Sequence, residues 1–140
     1  MEREKFIGKI WEPACGAGNI SEILKSRGYE VRSTDLYDHG YGETGIDFME
    51  AYQGINTLTE ETDYANIVTN PPFSFNDKKK VEDFVEHALE VASRKVAIFA
   101  KLAFLEGKAR RERLFNRKML KNIYVFSNRV TFNGKSGGGE

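Results

Sequence analysis

The chain has 140 residues, enough for one domain with a real core and too few for two. Hydrophobic residues make up 40% and charged residues 30%, an ordinary soluble profile with no apolar run of membrane-spanning length and a polar start that does not read as a signal peptide. The net charge is zero, which argues against a nucleic-acid partner until its distribution is read: residues 1–66 carry 6 Lys/Arg and 13 Asp/Glu, residues 67–140 carry 15 and 8, so the halves differ as −7 and +7.

Taken in chain order, Phe6 to Trp11 reads as a first strand and Glu12-Pro13-Ala14-Cys15-Gly16-Ala17-Gly18 as a turn. Asn19 with Glu22 forms a capping-box pattern for a helix whose apolar face is Ile20, Ile23 and Leu24, and Gly28 is its stop. Tyr29 to Ser33 is a second strand ending at Thr34-Asp35. A glycine-dotted stretch leads to a third strand-like piece, Ile46 to Met49, and the segment from Ala51 to Asp63 is ambiguous. Ala65 to Thr69 is a short buried strand followed by Asn70-Pro71-Pro72-Phe73. Asp77 to Ser93 is the clearest helix, with apolar residues at 3–4-residue spacing, and Lys95 to Lys101 is a further strand. Glu106 to Leu120 reads as a basic helix, and Ile123 to Phe126 and Val130 to Phe132 as short strands. Residues 1–133 form one core and 134–140 a flexible glycine-rich tail. Alternating strands and helices imply an α/β fold with a doubly wound, mostly parallel sheet.

In such a sheet ligands bind beyond the carboxyl ends of the strands, where two of these turns fall. Asn70 and the carbonyl of Pro72 are two acceptors for an exocyclic amine, held on a backbone stiffened by Pro71 and Pro72. Phe73 would stack on a flat base, an interaction worth roughly 1–3 kcal/mol. The alternative for these four residues is a proline turn with Phe73 in the core. In the first turn, Gly16 and Gly18 let a ligand approach the backbone closely. Ser21 stands where a full dinucleotide fingerprint has its third glycine, and Glu12 would repel a pyrophosphate and suit a cation. Asp35 ends the second strand, the usual place of a carboxylate that takes ribose hydroxyls, and Asp47-Phe48 ends the third piece. The alternative for each aspartate is a cap or a strand-end turn. Cys15 reads as a packing residue, its solitude suits a reducing cytoplasm, and with two distant histidines it makes no metal site.

Glu12 to Gly18, Asp35, Asp47-Phe48 and Asn70 to Phe73, in that order and spacing, resemble the S-adenosylmethionine-dependent amino-methyltransferases, and most of all the DNA N6-adenine branch. The resemblance spans Ile7 to Phe132. It implies a Rossmann-like sheet of seven strands with the last antiparallel. Glu12, Gly16 and Gly18, with Pro13 in the same turn, would hold the methionine part of S-adenosylmethionine. Asp35 would bind the ribose, Asp47 and Phe48 the adenine, and Asn70, Pro71, Pro72 and Phe73 the target amine and base. The target adenine would be flipped out or unpaired.

Three family features are missing from the sequence: a helix before the first strand, a region that reads the target sequence, and an identifiable last strand after Phe132. The chain therefore reads as a shortened or phage-like core. The rival readings are methylation of an RNA base or of a glutamine side chain, and an inactive S-adenosylmethionine-binding subunit. Relatives acting on glutamine typically carry Tyr where Phe73 stands, which favours a nucleic acid, DNA ahead of RNA. A homodimer or a partner subunit would supply what the core lacks, and no membrane contact is expected.

Overall fold

The computed structural model describes residues 3–51, 65–72, 74–75, 79–117, 119–128 and 130. The chain divides into two compact units, Met1–Lys101 and Leu102–Glu140. The first is an α/β unit built on a five-stranded, all-parallel sheet. Its strands are β1 (Ile10–Glu12), β2 (Val31–Asp35), β3 (Glu43–Thr44), β4 (Asn66–Thr69) and β7 (Lys95–Ile98), in the spatial order β3-β2-β1-β4-β7. Between β4 and β7, Ser74–Phe75 (β5) and Lys79–Lys80 (β6) form a small antiparallel ribbon. The helices are α1 (Asn19–Ser26) and α2 (Val81–Val91).

Strand alternation decides which helix covers which face. In β1, Ile10 points to one side and Trp11 to the other; in β4, Val68 and Ile67 do the same. Ile10 and Val68 pack with Leu24 of α1 and with Phe6. Trp11 and Ile67 pack with Phe84, Ala88 and Val91 of α2 and with Phe48. Each face of the sheet is thereby covered by one helix. The chain runs outward from β1 to β3, then crosses back to pair β4 against the free side of β1, with Ile10 opposite Asn66 and Trp11 opposite Ile67. That reversal makes the carboxyl ends of β1 and β4 the topological switch point.

Several expected boundaries move for local reasons. β1 begins only at Ile10, because Gly8 adopts a positive φ of 87° and breaks the extension from Phe6. β2 runs on to Asp35, since Thr34 and Asp35 gain the partners Glu43 and Thr44. Those two residues are the third strand, and Ile46 to Met49 is not: Phe48–Glu50 is a 3-10 turn with Phe48 in the core. The N-cap of α1 is Gly18, not Asn19, so no capping box forms. Ile23 is exposed, because the buried arc of α1 runs through Ile20, Ser21 and Leu24. Gly28 does stop the helix: at φ 86° it donates to Lys25 O at 2.9 Å, and the Tyr29 N–H reaches Leu24 O at 3.2 Å, a Schellman closure. α2 starts at Val81, not Asp77, since Lys79 and Lys80 are held in the ribbon.

In the second unit, α3 (Lys108–Arg110) continues into a π-helical turn, Arg111–Phe115, a shorter helix than Glu106 to Leu120. Phe104 and Phe115 meet edge to face, with centroids 6.1 Å apart. Among the described residues Ile123 to Phe126 forms no strand with another segment, and its side chains are exposed. The expectations for the segment after Ala51, for Thr131-Phe132 and for the tail 134–140 lie outside the described residues. Among the described residues no helix is long and apolar enough to cross a membrane.

One buried hydrogen bond ties β1 to β2: the Trp11 indole N–H donates to Thr34 Oγ1 at 2.9 Å. Thr34→Val keeps the shape and orphans the indole donor. It should cost about 1–3 kcal/mol in urea unfolding, the penalty of a buried group left without its partner.

Candidate functional site

The site is assembled at the carboxyl ends of β1, β2 and β4. β1 ends on Glu12, which is 1% exposed. Ser21 of α1 donates a short hydrogen bond to Glu12 Oε2, and Ser21 Oγ lies 2.6 Å from Ser33 Oγ of β2. A carboxyl group, a helix and a second strand are thus joined through two hydroxyls. Burial dominates the electrostatics and pushes the Glu12 pKa up to about 7, against the opposing hydrogen bond from Ser21.

The turn that follows is pinned at three points. The Cys15 N–H donates to Thr34 O at 3.0 Å, the Gly18 N–H to Cys15 O at 2.8 Å, and the Gly16 N–H to Asp35 Oδ2 at 2.9 Å. Gly16 and Gly18 have φ of 52° and 85°, a region that a β-carbon disfavours. A β-carbon on Gly16 would meet no atom within 4 Å, so the turn is open there. On Gly18 it would sit 2.6 Å from the ring of Tyr41. That ring is held by Lys25 Nζ, which donates to Tyr41 Oη at 2.8 Å, and by a short bond from Tyr41 Oη to Glu22. Cys15 is buried, and burial with the nearby Glu12 and Asp35 carboxylates pushes its thiol up to about 11, which suits packing and not nucleophilic attack.

Asp35 is buried at the end of β2. Its second oxygen, Oδ1, accepts from the Tyr37 N–H at 3.0 Å and lies 3.7 Å from His39 Nε2. Two backbone donors fix the carboxylate, and each oxygen keeps accepting capacity for a further donor. The structure therefore places Glu12, Pro13, Gly16 and Gly18 along one turn at the end of β1 and bonds Gly16 of that turn to Asp35.

Asp47 and Phe48 stand differently. Asp47 Oδ1 accepts from the Met49 N–H at 2.9 Å and caps the 3-10 turn. It follows Ile46, whose N–H donates to Asp35 O at 3.2 Å, so it stays near the end of β2. Phe48 is buried and packs edge to face on Trp11 at 5.2 Å and on His87 at 4.9 Å. It supports the site from within the core.

β4 ends at Thr69, beside the end of β1. Asn70 is half-buried, Pro71 buried and Pro72 half-buried, and Phe73 lies outside the described residues. Thr69 is fully buried, and among the described residues its Oγ1 has no hydrogen-bond partner. Sequence reasoning missed Ser21, Ser33 and Tyr41. Ser21 had a signal, a small polar residue inside the helical arc of Ile20 and Leu24. Ser33 had none, and Tyr41 only its flanking glycines, Gly40 and Gly42, both at positive φ.

Comparison with known protein families, with curated proteins and with solved structures yields no match.

The raised Glu12 pKa sets a sign for stability. Unfolded, the carboxyl has its ordinary value of 4.5; folded, it binds its proton up to about 7. Between those values the folded state holds more protons, so stability falls as pH rises from 4.5 to 7, by roughly 3 kcal/mol in all. Glu12→Gln should abolish this loss and be the more stable protein at pH 8. Denaturant unfolding of both proteins across pH 4.5–8 checks it, and parallel curves would remove Glu12 as the cause.

Proposed function

We propose that the chain is the cofactor-binding and catalytic core of an S-adenosylmethionine-dependent methyltransferase that acts on the exocyclic N6 amine of adenine in DNA, on a Rossmann-like sheet of that enzyme class. The observation that carries this reading is adjacency. The Glu12–Gly18 turn and the Asn70-Pro71-Pro72 turn leave neighbouring parallel strands at the switch point, and Asp35 is bonded to the first of them.

The residues present fit the cofactor. The space in front of Gly16 suits a ligand lying against the backbone, and a buried acid that holds its proton near neutrality suits a ligand that brings a cation. Glu12, Pro13, Gly16 and Gly18 would hold the methionine part, Asp35 the ribose hydroxyls, and Asp47 the adenine edge, with Phe48 behind it. S-adenosylmethionine, when bound, supplies an electrophilic methyl group on a sulfonium.

The chain supplies position and dipoles. Asn70 Oδ1 and the Pro72 carbonyl accept from the target NH2 group and localise its lone pair, which conjugation with the ring otherwise withdraws. Pro71, which is buried, holds the turn so that this polarisation costs no reorganisation. No strong base is needed before transfer, because the amine is neutral until it takes the methyl group, and the resulting cationic nitrogen would then give its extra proton to water.

Two outcomes test the reading. Asn70→Ala should leave cofactor affinity nearly unchanged and lower methyl transfer by orders of magnitude, measured with labelled S-adenosylmethionine and unmethylated DNA, with RNA and protein in parallel. Wild-type turnover in the variant would leave Asn70 as a turn residue. Cofactor binding should also release the Glu12 proton, so calorimetric affinity should rise from pH 6 to pH 8 in the wild type and stay flat in Glu12→Gln.

A further inference from the structure

The glycine turn between β1 and α1 is open at one end and closed at the other. A β-carbon on Gly16 would meet nothing within 4 Å, whereas one on Gly18 would sit 2.6 Å from three ring atoms of Tyr41. The Tyr41 ring therefore covers Gly18, the N-cap of α1. Its backbone is anchored as well. Tyr41 O accepts from Cys15 Sγ at 3.7 Å, and the next residue, Gly42, fits so tightly that a β-carbon there would lie 2.6 Å from Ser33 O. The Tyr41 hydroxyl is already spent: it donates to Glu22 and accepts from Lys25 Nζ at 2.8 Å. What Tyr41 presents to the turn is a ring and not a polar group.

This closure falls where two classes of ligand part. A dinucleotide and S-adenosylmethionine share an adenosine, and a carboxylate such as Asp35 suits the ribose of either. From that ribose a dinucleotide carries its pyrophosphate onto the N-terminus of the helix after the first strand. Here that helix is α1, and three groups oppose a pyrophosphate at its start. The Tyr41 ring fills the space over Gly18. Glu22 places a carboxylate in the first turn. The Ser21 N–H is turned inward and bonds the buried carboxyl of Glu12. Lys25 brings a positive charge, but its ammonium is engaged by Tyr41 Oη and lies 4.0 Å from Glu22. The space over Gly16 stays free for a ligand without phosphates.

We propose that Tyr41 is a specificity-determining residue that closes the glycine turn to dinucleotides, so that the turn accepts an adenosyl ligand only when it lacks a pyrophosphate. The selection is steric: the ring stands in the path of the wrong ligand, and a clash discriminates as well as an added contact to the right one. The inference rests on the proposed function only in taking this turn as a nucleoside-cofactor site; it needs no methyl transfer.

The test uses the full chain, with S-adenosylhomocysteine and NADH as probes in calorimetry. Tyr41→Ala should tighten NADH binding about 10-fold or more and leave S-adenosylhomocysteine within about 3-fold, the scale on which one mismatched group in a pocket discriminates between ligands. Tyr41→Val opens most of the same space and should repeat the gain; circular dichroism identifies variants that fold. Tyr41→Phe keeps the ring and the backbone anchors, so it should exclude NADH as the wild type does. Folded alanine or valine variants that gain no NADH affinity would overturn the proposal. So would a variant that only loses S-adenosylhomocysteine, the mark of a ring with a merely structural role. A phenylalanine variant that gains as much as the alanine variant, or a wild type that binds both probes equally, would overturn it too. An NADH gain in a chain that binds no S-adenosylhomocysteine would leave this inference standing and remove the proposed function. Methyl transfer to DNA by the wild type, with no NADH gain in any variant, would do the reverse.

Discussion

The hydrogen bond from Ser21 to the buried carboxyl of Glu12 is the interaction on which the rest of the site depends. A carboxylate taken out of water is costly, and the protein meets that cost by letting the group hold its proton up to about pH 7 and by surrounding it with hydroxyls. Those hydroxyls come from α1 and β2, so the group that is expensive to bury also joins β1 to its helix and to its neighbouring strand. The acid is thereby poised: small changes in its surroundings, above all a cation, convert it to the charged form.

The backbone around it is equally constrained. β1 has only three residues, all buried, and pairs on both sides. Such a strand cannot shift register without turning Trp11 and Ile10 to the wrong faces. The turn that follows must reverse into α1 within six residues, from Pro13 to Gly18, and it does so with Gly16 and Gly18 in the left-handed region. Tyr41 rests on Gly18, so the same glycine that turns the chain also admits the ring.

Two demands compete at Asp47-Phe48. A ligand site asks for side chains at its rim, whereas the α2 face of the sheet needs a large apolar group between Trp11 and Phe84. The core takes Phe48, which contacts both rings, and Asp47 is left to cap the 3-10 turn that delivers it. Sequence pattern alone does not separate these demands, because an Asp-Phe pair after an apolar residue satisfies either one.

What the sequence by itself determined is local. Apolar runs located β4, β7 and α2, Gly28 marked the end of α1, and the Gly16, Gly18 and Asn70-Pro71-Pro72 punctuation located the two turns. These follow from side-chain period and backbone sterics, which neighbours in the chain settle. What only the tertiary structure decided is long-range. Pairing with β2 made Glu43-Thr44 a strand that two exposed polar residues could not announce. Burial turned Ser21, Ser33 and Glu12 into one network, although 21 residues separate its ends, and the ring of Tyr41 reached Gly18 from a strand away.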